Sequence, residues 1–549
     1  MGLAAGPLLA ALTLWLLPSS YRGVELSAQA ANVSEKNSDA NTTESDSTAV
    51  QQLDSDSGSA DRRMQDPQTD ARSLPAGRVV KDFDWAGRAT LAVMVWMGVW
   101  WLTEAIEISA TALLPLVFFP LLKIDKIADA AAPYASHLIF LYLGGFIIAF
   151  SMDKSGLGRR MALLTLRLVG TSAGAMVAGF MLVTAALSGF VSNTATTAMM
   201  LPIAVSVIAL LRQQGDAVPK ATTDRFAACL LLSVAYAASI GGITTIIGTP
   251  TNAFLATFLS SDISPEYQID LSFARWLPVG LSFSVVFLPI IYLMMTKLIF
   301  PLGNLEIPGG RQLIGRELKA IGVVRRSEWN TLVVFLVAVS MWLTRPLLQS
   351  VSFQWAGQTI APLAYLSDSG IAMLCAVSLF LIPVNVKTRE FTMDWATAER
   401  LPWGILLLFG GGLSLASAVK RHGVAEFIGA QAEAIEGVPV VVVLLAVTAT
   451  IVFMTELTSN AATTASLVPV LAAVAPGLGI HPYLLIVPAT VASSCAFMLP
   501  VATPPNAIVF GSGLITGPQM ARAGFLLNLI AVLLATVFAF AVVGPLLIG

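Results

Sequence analysis

The stretch SGFVSNTATTAMMLPIA at residues 188–204 returns, slightly changed, as TELTSNAATTASLVPVL at residues 455–471. Both copies lie in long apolar runs, where a hydroxyl or carboxamide is costly unless something binds it. Each copy has a hydroxyl four residues ahead of its Ser (Ser188 before Ser192, Thr455 before Ser459) and an Asn directly after it (Asn193, Asn460). Small polar residues also let membrane helices approach closely. That accounts for a single Ser or Thr, but not for the joint pattern. A second polar interruption follows in each half, GTPTN at 248–252 and ATPPN at 502–506. Proline lacks an amide hydrogen and breaks the helical ladder. Broken backbone at membrane depth is tolerated only where it lines a cavity or is buried in protein. Matching interruptions in two halves predict a secondary transporter with its site between the halves.

Composition agrees with a membrane setting. Apolar residues make up 56% of the 549, charged residues 12%, and the mean hydropathy is +0.78. A soluble domain carries about twice that charged fraction. The class expected is therefore an all-α polytopic membrane protein. The net charge of −2 and the lack of a dense basic cluster give no sign of a nucleic-acid partner. Cys229, Cys375 and Cys495 sit in apolar runs and read as small core residues.

The chain divides as follows. Residues 1–20 read as a first transmembrane helix. A signal peptide is the competing reading, since Ala28-Gln29-Ala30 resembles a cleavage site, but MGLAAG lacks a basic n-region. Residues 21–84 form a polar, acidic insert with too few large apolar groups to order itself, and disorder is expected there. A first repeat spans 85–310, with a polar-tipped hairpin at about 174–211. A cytoplasmic linker occupies 311–328, and a second, inverted repeat spans 329–549, with its hairpin at about 438–475. Helices are expected near 86–103, 108–122, 137–152, 226–258, 276–299, 329–348, 368–384, 403–419, 484–513 and 523–547. Basic clusters at Lys154–Arg167, Arg311–Arg326 and Lys387–Arg400 mark the cytoplasmic side. An odd number of spans then separates the hairpins, so they enter from opposite faces. LYLGGFIIA (141–149) and LLFGGGLSLA (407–416) stand just ahead of the two hairpins and align in the same way.

The charges missing from these regions matter as much. No Lys or Arg lies between Ala173 and Leu211, between Ala227 and Ala274, or between Arg421 and Arg522. A multivalent anion held there has helix N-termini, which supply fractions of a charge, and needs bound cations for the rest. Hydroxyl, amide and carbonyl oxygens suit an alkali cation better than a transition metal, which favours His, Cys or carboxylate. Other ionisable groups carry weaker signals. Glu456 adjoins the second motif and is a candidate for a direct or supporting role. Glu104, Asp153 and His422 fall at helix ends, and His137 and His481 at helix starts.

From about Trp85 to the C-terminus the chain resembles the divalent-anion/sodium symporter family, which covers sodium–dicarboxylate, citrate and sulfate cotransporters. The carrying segments are WWLTEAIEISATALLPLVFFPLL (100–122), SNTATTAMMLPIA and MLPVATPPNAIVFGSG (498–513), together with GPLLAALTLWLLP as the first helix. The resemblance implies eleven transmembrane helices and two re-entrant hairpins in inverted repeats. It also implies a plasma-membrane homodimer, in a bacterium the inner membrane, whose transport domain moves past a scaffold domain like an elevator. One sodium ion would be held by Ser188, Ser192, Asn193 and the carbonyl of Gly248. A second would be held by Thr455, Ser459, Asn460 and the carbonyl of Ala502. The substrate carboxylates would meet Asn193, Thr194, Thr249, Ser459, Asn460 and Thr503. No organic cofactor is implied; sodium is the coupling ion. Ala461 stands where the family has a second motif Thr, Thr251 where a second Pro is common, and Glu107 where Pro is common, and the insert is foreign to the pattern.

The expectation is sodium-coupled symport of a C4-dicarboxylate such as succinate, malate or fumarate. Sulfate or citrate as cargo, or dicarboxylate exchange, are the alternatives on the same fold. An intramembrane enzyme would need a nucleophile with a base or a metal with His and carboxylate. No His-Glu-x-x-His and no nucleotide-binding loop occurs.

Overall fold

Backbone groups in hydrocarbon must find partners within their own segment, and helices accordingly carry nearly all of the regular structure. The computed structural model describes residues 2–24, 78–168, 170–214, 218–355, 358–432 and 437–548. They form two units. The smaller, Pro18–Phe83, contains an antiparallel ladder of β1 (Ser20–Val24) and β2 (Arg78–Asp82), registered from Ser20 opposite Asp82 to Val24 opposite Arg78. The rings of Tyr21 and Phe83 meet edge to face at 6.1 Å beside it. This corrects the expectation of disorder at both ends of the insert. Short runs of Tyr and Val favour paired strands even within a polar segment. The remainder of that expectation, residues 25–77, lies outside the described residues.

The larger unit is helical. Its first half comprises α1 (Gly2–Leu16), α2 (Trp85–Thr103), α3 (His137–Ser155), α4 (Leu157–Arg167), α5 (Ala173–Ser188), α6 (Asn193–Arg212), α7 (Lys220–Ile243), α8 (Pro250–Thr257) and α9 (Phe273–Leu293). Its second half comprises α10 (Gly310–Ile321), α11 (Arg326–Gln349), α12 (Asp368–Leu381), α13 (Trp403–Arg421), α14 (Val424–Ala432), α15 (Val440–Met454), α16 (Asn460–Gly477), α17 (Pro482–Ser493), α18 (Pro504–Phe510) and α19 (Gly517–Phe538). Short helices between α2 and α3 run Ile108–Thr111 and Leu114–Leu121, so the apolar run there is broken and not one helix. Among the described residues eight helical stretches are long and apolar enough to cross a membrane. Six more apolar helices are shorter, α1, α5, α12, α15 and α17 among them.

Helix α1 packs on α2, where the Trp100 indole donates to the Leu3 carbonyl at 3.2 Å. Helices α7 and α17 are wrapped on all sides. Every residue of α7 from Phe226 to Ile243 is buried, and so is every residue of α17 except the half-buried Leu484. An apolar helix without a polar face belongs inside a bundle. Each of these two central helices leads directly into one of the Pro-marked interruptions.

Residues 311–328, expected as a linker, contain most of α10, an amphipathic helix with its charged face outward. This region is tied to α4 by Arg159–Glu317 at 2.9 Å and by a buried ion pair that sequence gave no reason to expect. Arg160 donates from Nε to Glu328 Oε2 at 2.6 Å and from Nη2 to Oε1 at 3.1 Å. It also caps the carbonyls of Gly322 and Val323. Arg160 was expected only as one charge in a cytoplasmic cluster. A buried charge survives through such pairing and hydrogen bonding.

Candidate functional site at two paired helix breaks

Each Ser-Asn motif lies at a tight break between two helices. In the first, α5 ends at Ser188, and Ser192 takes the N-cap position of α6 and accepts from the Ala195 amide at 3.2 Å. In the second, α15 ends at Met454 and Ser459 occupies the N-cap position of α16. Asn193 and Asn460 are thus the first residues of long helices, Thr194 is exposed in the first turn, and Ala461 is half-buried at the matching place. Pro202 and Pro469 fall nine residues after each Asn.

The hydroxyl four residues ahead of each Ser closes the break. Ser188 Oγ lies 2.7 Å from Asn193 Oδ1 and 2.7 Å from the carbonyl of Ala238 on α7. Thr455 Oγ1 lies 2.6 Å from Asn460 Oδ1 and 3.0 Å from the carbonyl of Ser493 on α17. A hydroxyl has one proton to donate and faces two acceptors in each case. Each cluster therefore has more oxygen lone pairs than hydrogens, a neutral but electronegative cup.

The Pro-marked interruptions sit beside these cups. Thr249 caps α8 at φ −142° and ψ 146°, and Thr503 caps α18 at φ −143° and ψ 150°. The two breaks therefore share a backbone conformation although one reads Thr-Pro-Thr and the other Thr-Pro-Pro. The last Asn of each motif holds the unwound segment together. Asn252 Nδ2 donates to the carbonyls of Gly242, Ile243 and Thr245 at 3.3, 3.1 and 2.9 Å. Asn506 Nδ2 donates to those of Ala496 and Leu499, both at 3.1 Å. Sequence reading passed over both residues, although their equal place in GTPTN and ATPPN was the available signal. The carbonyls of Ala238 and Ser493 had no signal, since any residue supplies one.

Glycine is required where the segment around Gly242–Gly248 meets the Ser188–Asn193 break. A Cβ on Gly242 would lie 2.5 Å from Asn193 Oδ1, one on Gly248 would lie 2.9 Å from the Gly189 carbonyl, and one on Gly241 would strike the backbone of Ala185. The Thr245 hydroxyl donates to the Gly189 carbonyl across the same contact. Gly248 and Ala502 are both buried, as are Thr249 and Thr503.

The halves cross. Helix α6 packs on α7 of its own half and on α18 of the other, and α16 packs on α17 and on α8. The two breaks touch where Thr251 Oγ1 and Ser494 Oγ are 3.1 Å apart, and Tyr236 of α7 donates to the Phe497 carbonyl at 3.0 Å. The sequence-chosen residues thus fall into two groups. Ser188 with Asn193 and Thr455 with Asn460 are in direct contact. Ser192, Ser459, Thr249 and Thr503 hold cap positions around them.

Glu456 has no equivalent in the first half, where Gly189 stands. Its carboxylate is buried and accepts from the amides of Phe497 at 2.6 Å, Met498 at 2.9 Å and Leu499 at 2.9 Å, and from Asn528 Nδ2 at 2.7 Å. Glu104, by contrast, ends α2 in the left-handed region at φ 46°. His422 meets Asp125 at 3.2 Å, beside the Arg421–Asp125 pair. His137 opens α3 and His481 caps α17.

A helical bundle with twinned breaks, each beside a pair of neutral side-chain oxygens, defines a membrane transport protein built from two related halves. Residues 73–548 match the family described as the sodium:sulfate symporter transmembrane region, and the chain belongs to that family. It is a multi-pass protein of the plasma membrane. Among curated relatives, the sodium-dependent dicarboxylate transporter SdcS of Staphylococcus saprophyticus subsp. saprophyticus is 39% identical over 464 residues, covering 84% of this chain and 87% of that protein. SdcS of Staphylococcus aureus strain USA300 is 37% identical over 471 residues, covering 85% and 88%. Among solved structures, the Alcanivorax borkumensis YdaH transporter, described as having an unusual topology, aligns with TM-score 0.52 at 15% identity. It covers 83% of this chain and 98% of that one. At that identity the likeness is one of fold.

Proposed function

We propose that this chain couples sodium entry to uptake of a divalent anion, a C4-dicarboxylate such as succinate, malate or fumarate. The carrying observation is the pair of electronegative cups, each at the N-terminus of a long helix in a region without Lys or Arg. An alkali cation in each cup, held by Ser188, Ser192, Asn193 and the Gly248 carbonyl, or by Thr455, Ser459, Asn460 and the Ala502 carbonyl, settles the unmatched lone pairs. It also adds the positive charge that helix N-termini supply only in fractions. The substrate carboxylates then meet Asn193, Thr194 and Thr249 from one half and Ser459, Asn460 and Thr503 from the other. Relatives named sodium-dependent dicarboxylate transporters over most of the chain support this choice of ion and cargo.

The hairpins at about 174–211 and 438–475 are read as re-entrant, within inverted repeats at 85–310 and 329–549. The whole would comprise eleven spans when the shorter apolar helices are paired with the membrane. Broken helices meeting from both halves suit alternating access, here with a transport domain moving past a scaffold in a homodimer. Ala461, which lacks the hydroxyl that Thr194 has, favours a second reading in which sulfate or citrate is the preferred cargo. The test is labelled succinate uptake into proteoliposomes under sodium or potassium gradients, for wild type and Asn460→Ala. Sodium-dependent uptake lost in the variant is the expected result. Competition by unlabelled sulfate or citrate but not by fumarate would transfer the cargo, and no sodium response would overturn the coupling.

A further inference from the structure

The two cups are alike in oxygen ligands and differ in charge. Beside Ser188 stands Gly189, whose carbonyl takes the Thr245 hydroxyl, so the first break is held by neutral bonds alone. Beside Thr455 stands Glu456, whose carboxylate grips three consecutive amides of the second break and the carboxamide of Asn528 on α19. All four partners are donors, the set a carboxylate requires. Among the described residues no basic side chain pairs with it, and none occurs in sequence between Arg421 and Arg522. A buried charge without an opposite charge is expensive, and four neutral donors offset only part of that cost.

Thr455 and Glu456 span the same gap side by side. The first reaches the Ser493 carbonyl, the second the amides of residues 497–499. The carboxylate thus follows the cup's Thr455 directly in the chain, and its hydrogen bonds go to the second break and Asn528, with none to Asn460 or a proposed substrate residue. We infer that Glu456 is the fixed counter-charge of the second cation site, a positioning residue that makes this site bind its ion more tightly than the first. The inference rests on the cation reading above. In general, a unit charge about 10 Å from a cation at an effective dielectric of about 20 changes its affinity roughly tenfold. The desolvated carboxylate and the bound cation complete each other, and the empty second cup is the state that carries the uncompensated charge.

The test uses the full chain in detergent and in proteoliposomes. Sodium is titrated against choline, and both the thermal midpoint and succinate uptake are followed for wild type, Glu456→Gln and Glu456→Asp. The Gln variant is expected to raise the sodium midpoint about tenfold in both readouts, while KM for succinate at saturating sodium stays within about threefold. The Asp variant, which keeps the charge, is expected to recover most of the sodium midpoint. Equal impairment of Gln and Asp, or a Gln variant with a lower melting point in choline and an unchanged sodium midpoint, would make Glu456 a structural anchor and overturn the inference. If the Gln variant does not fold, Asn528→Ala decides. It leaves the charge less well countered, so the sodium midpoint stays or falls; a rise of about threefold overturns the assignment. A wild type that ignores sodium in both readouts would sink the symport reading itself, an outcome distinct from an unshifted Gln variant.

Discussion

Replacing Asn252 by Ala removes the side chain that gathers three carbonyls of the first break. Its carboxamide has two N–H groups facing three carbonyls, those of Gly242, Ile243 and Thr245, at 2.9–3.3 Å in a fully buried site. Water has no ready access there; Ile243 keeps the Trp276 indole at 2.9 Å and Thr245 the Gly248 amide at 3.3 Å, so the substitution bears hardest on the Gly242 carbonyl. An orphaned buried acceptor costs about 1–3 kcal/mol, and that is the loss expected here. The consequence for binding follows from geometry. The segment that loses its staple carries Gly248, packed between the carbonyls of Gly242 and Gly189. A loosened Gly248 carbonyl is a poorer cation ligand, so the sodium midpoint should rise severalfold along with the fall in stability. Thermal unfolding of the purified protein in potassium measures the first effect, and a sodium titration of the same midpoint measures the second. Asn506→Ala serves as the matched control on the other half, where Ala496 loses its donor, Leu499 keeps the Ala502 amide at 3.2 Å, and an effect of similar size is expected. A melting point within about 1 °C of wild type would refute the hydrogen-bond accounting. A lowered melting point with an unmoved sodium midpoint would separate the staple from the site.

Two further outcomes are expected. Arg160→Met leaves Glu328 buried without its partner and should cost about 3–5 kcal/mol, whereas Arg160→Met with Glu328→Leu should recover most of that; thermal unfolding of all four species in a double-mutant cycle reads the coupling. Asp394, hydrogen-bonded first of all by Lys154, has its carboxyl lowered from 3.8 to about 2, so its stabilisation is complete above about pH 4 and lost as pH falls toward 2. With Asp394 52% exposed, Asp394→Asn should weaken the protein by no more than about 0.5–1 kcal/mol near neutrality. It should also flatten the acid limb of the unfolding curve between about pH 4 and pH 2.

Much of this molecule was legible in its sequence. The membrane class followed from 12% charge and long apolar runs, because hydrocarbon excludes unpaired polar groups whatever the fold. The break positions followed from Pro250 and Pro504 and from the Ser-Asn pairs, since local covalent chemistry decides where a helix can continue. The repeat was visible because both halves keep the same residue types at the same spacing.

Other features depend on neighbours distant in sequence, and only the tertiary structure decided them. Asn252 and Asn506 are ordinary helix residues until the chain folds back and presents carbonyls to them. The Ala238 and Ser493 carbonyls gain meaning from the hydroxyls 50 and 38 residues away that face them. Arg160 and Glu328 read as surface charges and become a buried pair, 168 residues apart. The short strands at Ser20–Val24 and Arg78–Asp82 order each other across a polar insert. Periodicity and composition record what a residue prefers within its own segment. They carry no record of which buried donor meets which acceptor, because that pairing is set by long-range packing, and at this site it is what separates a neutral cup from a charged one.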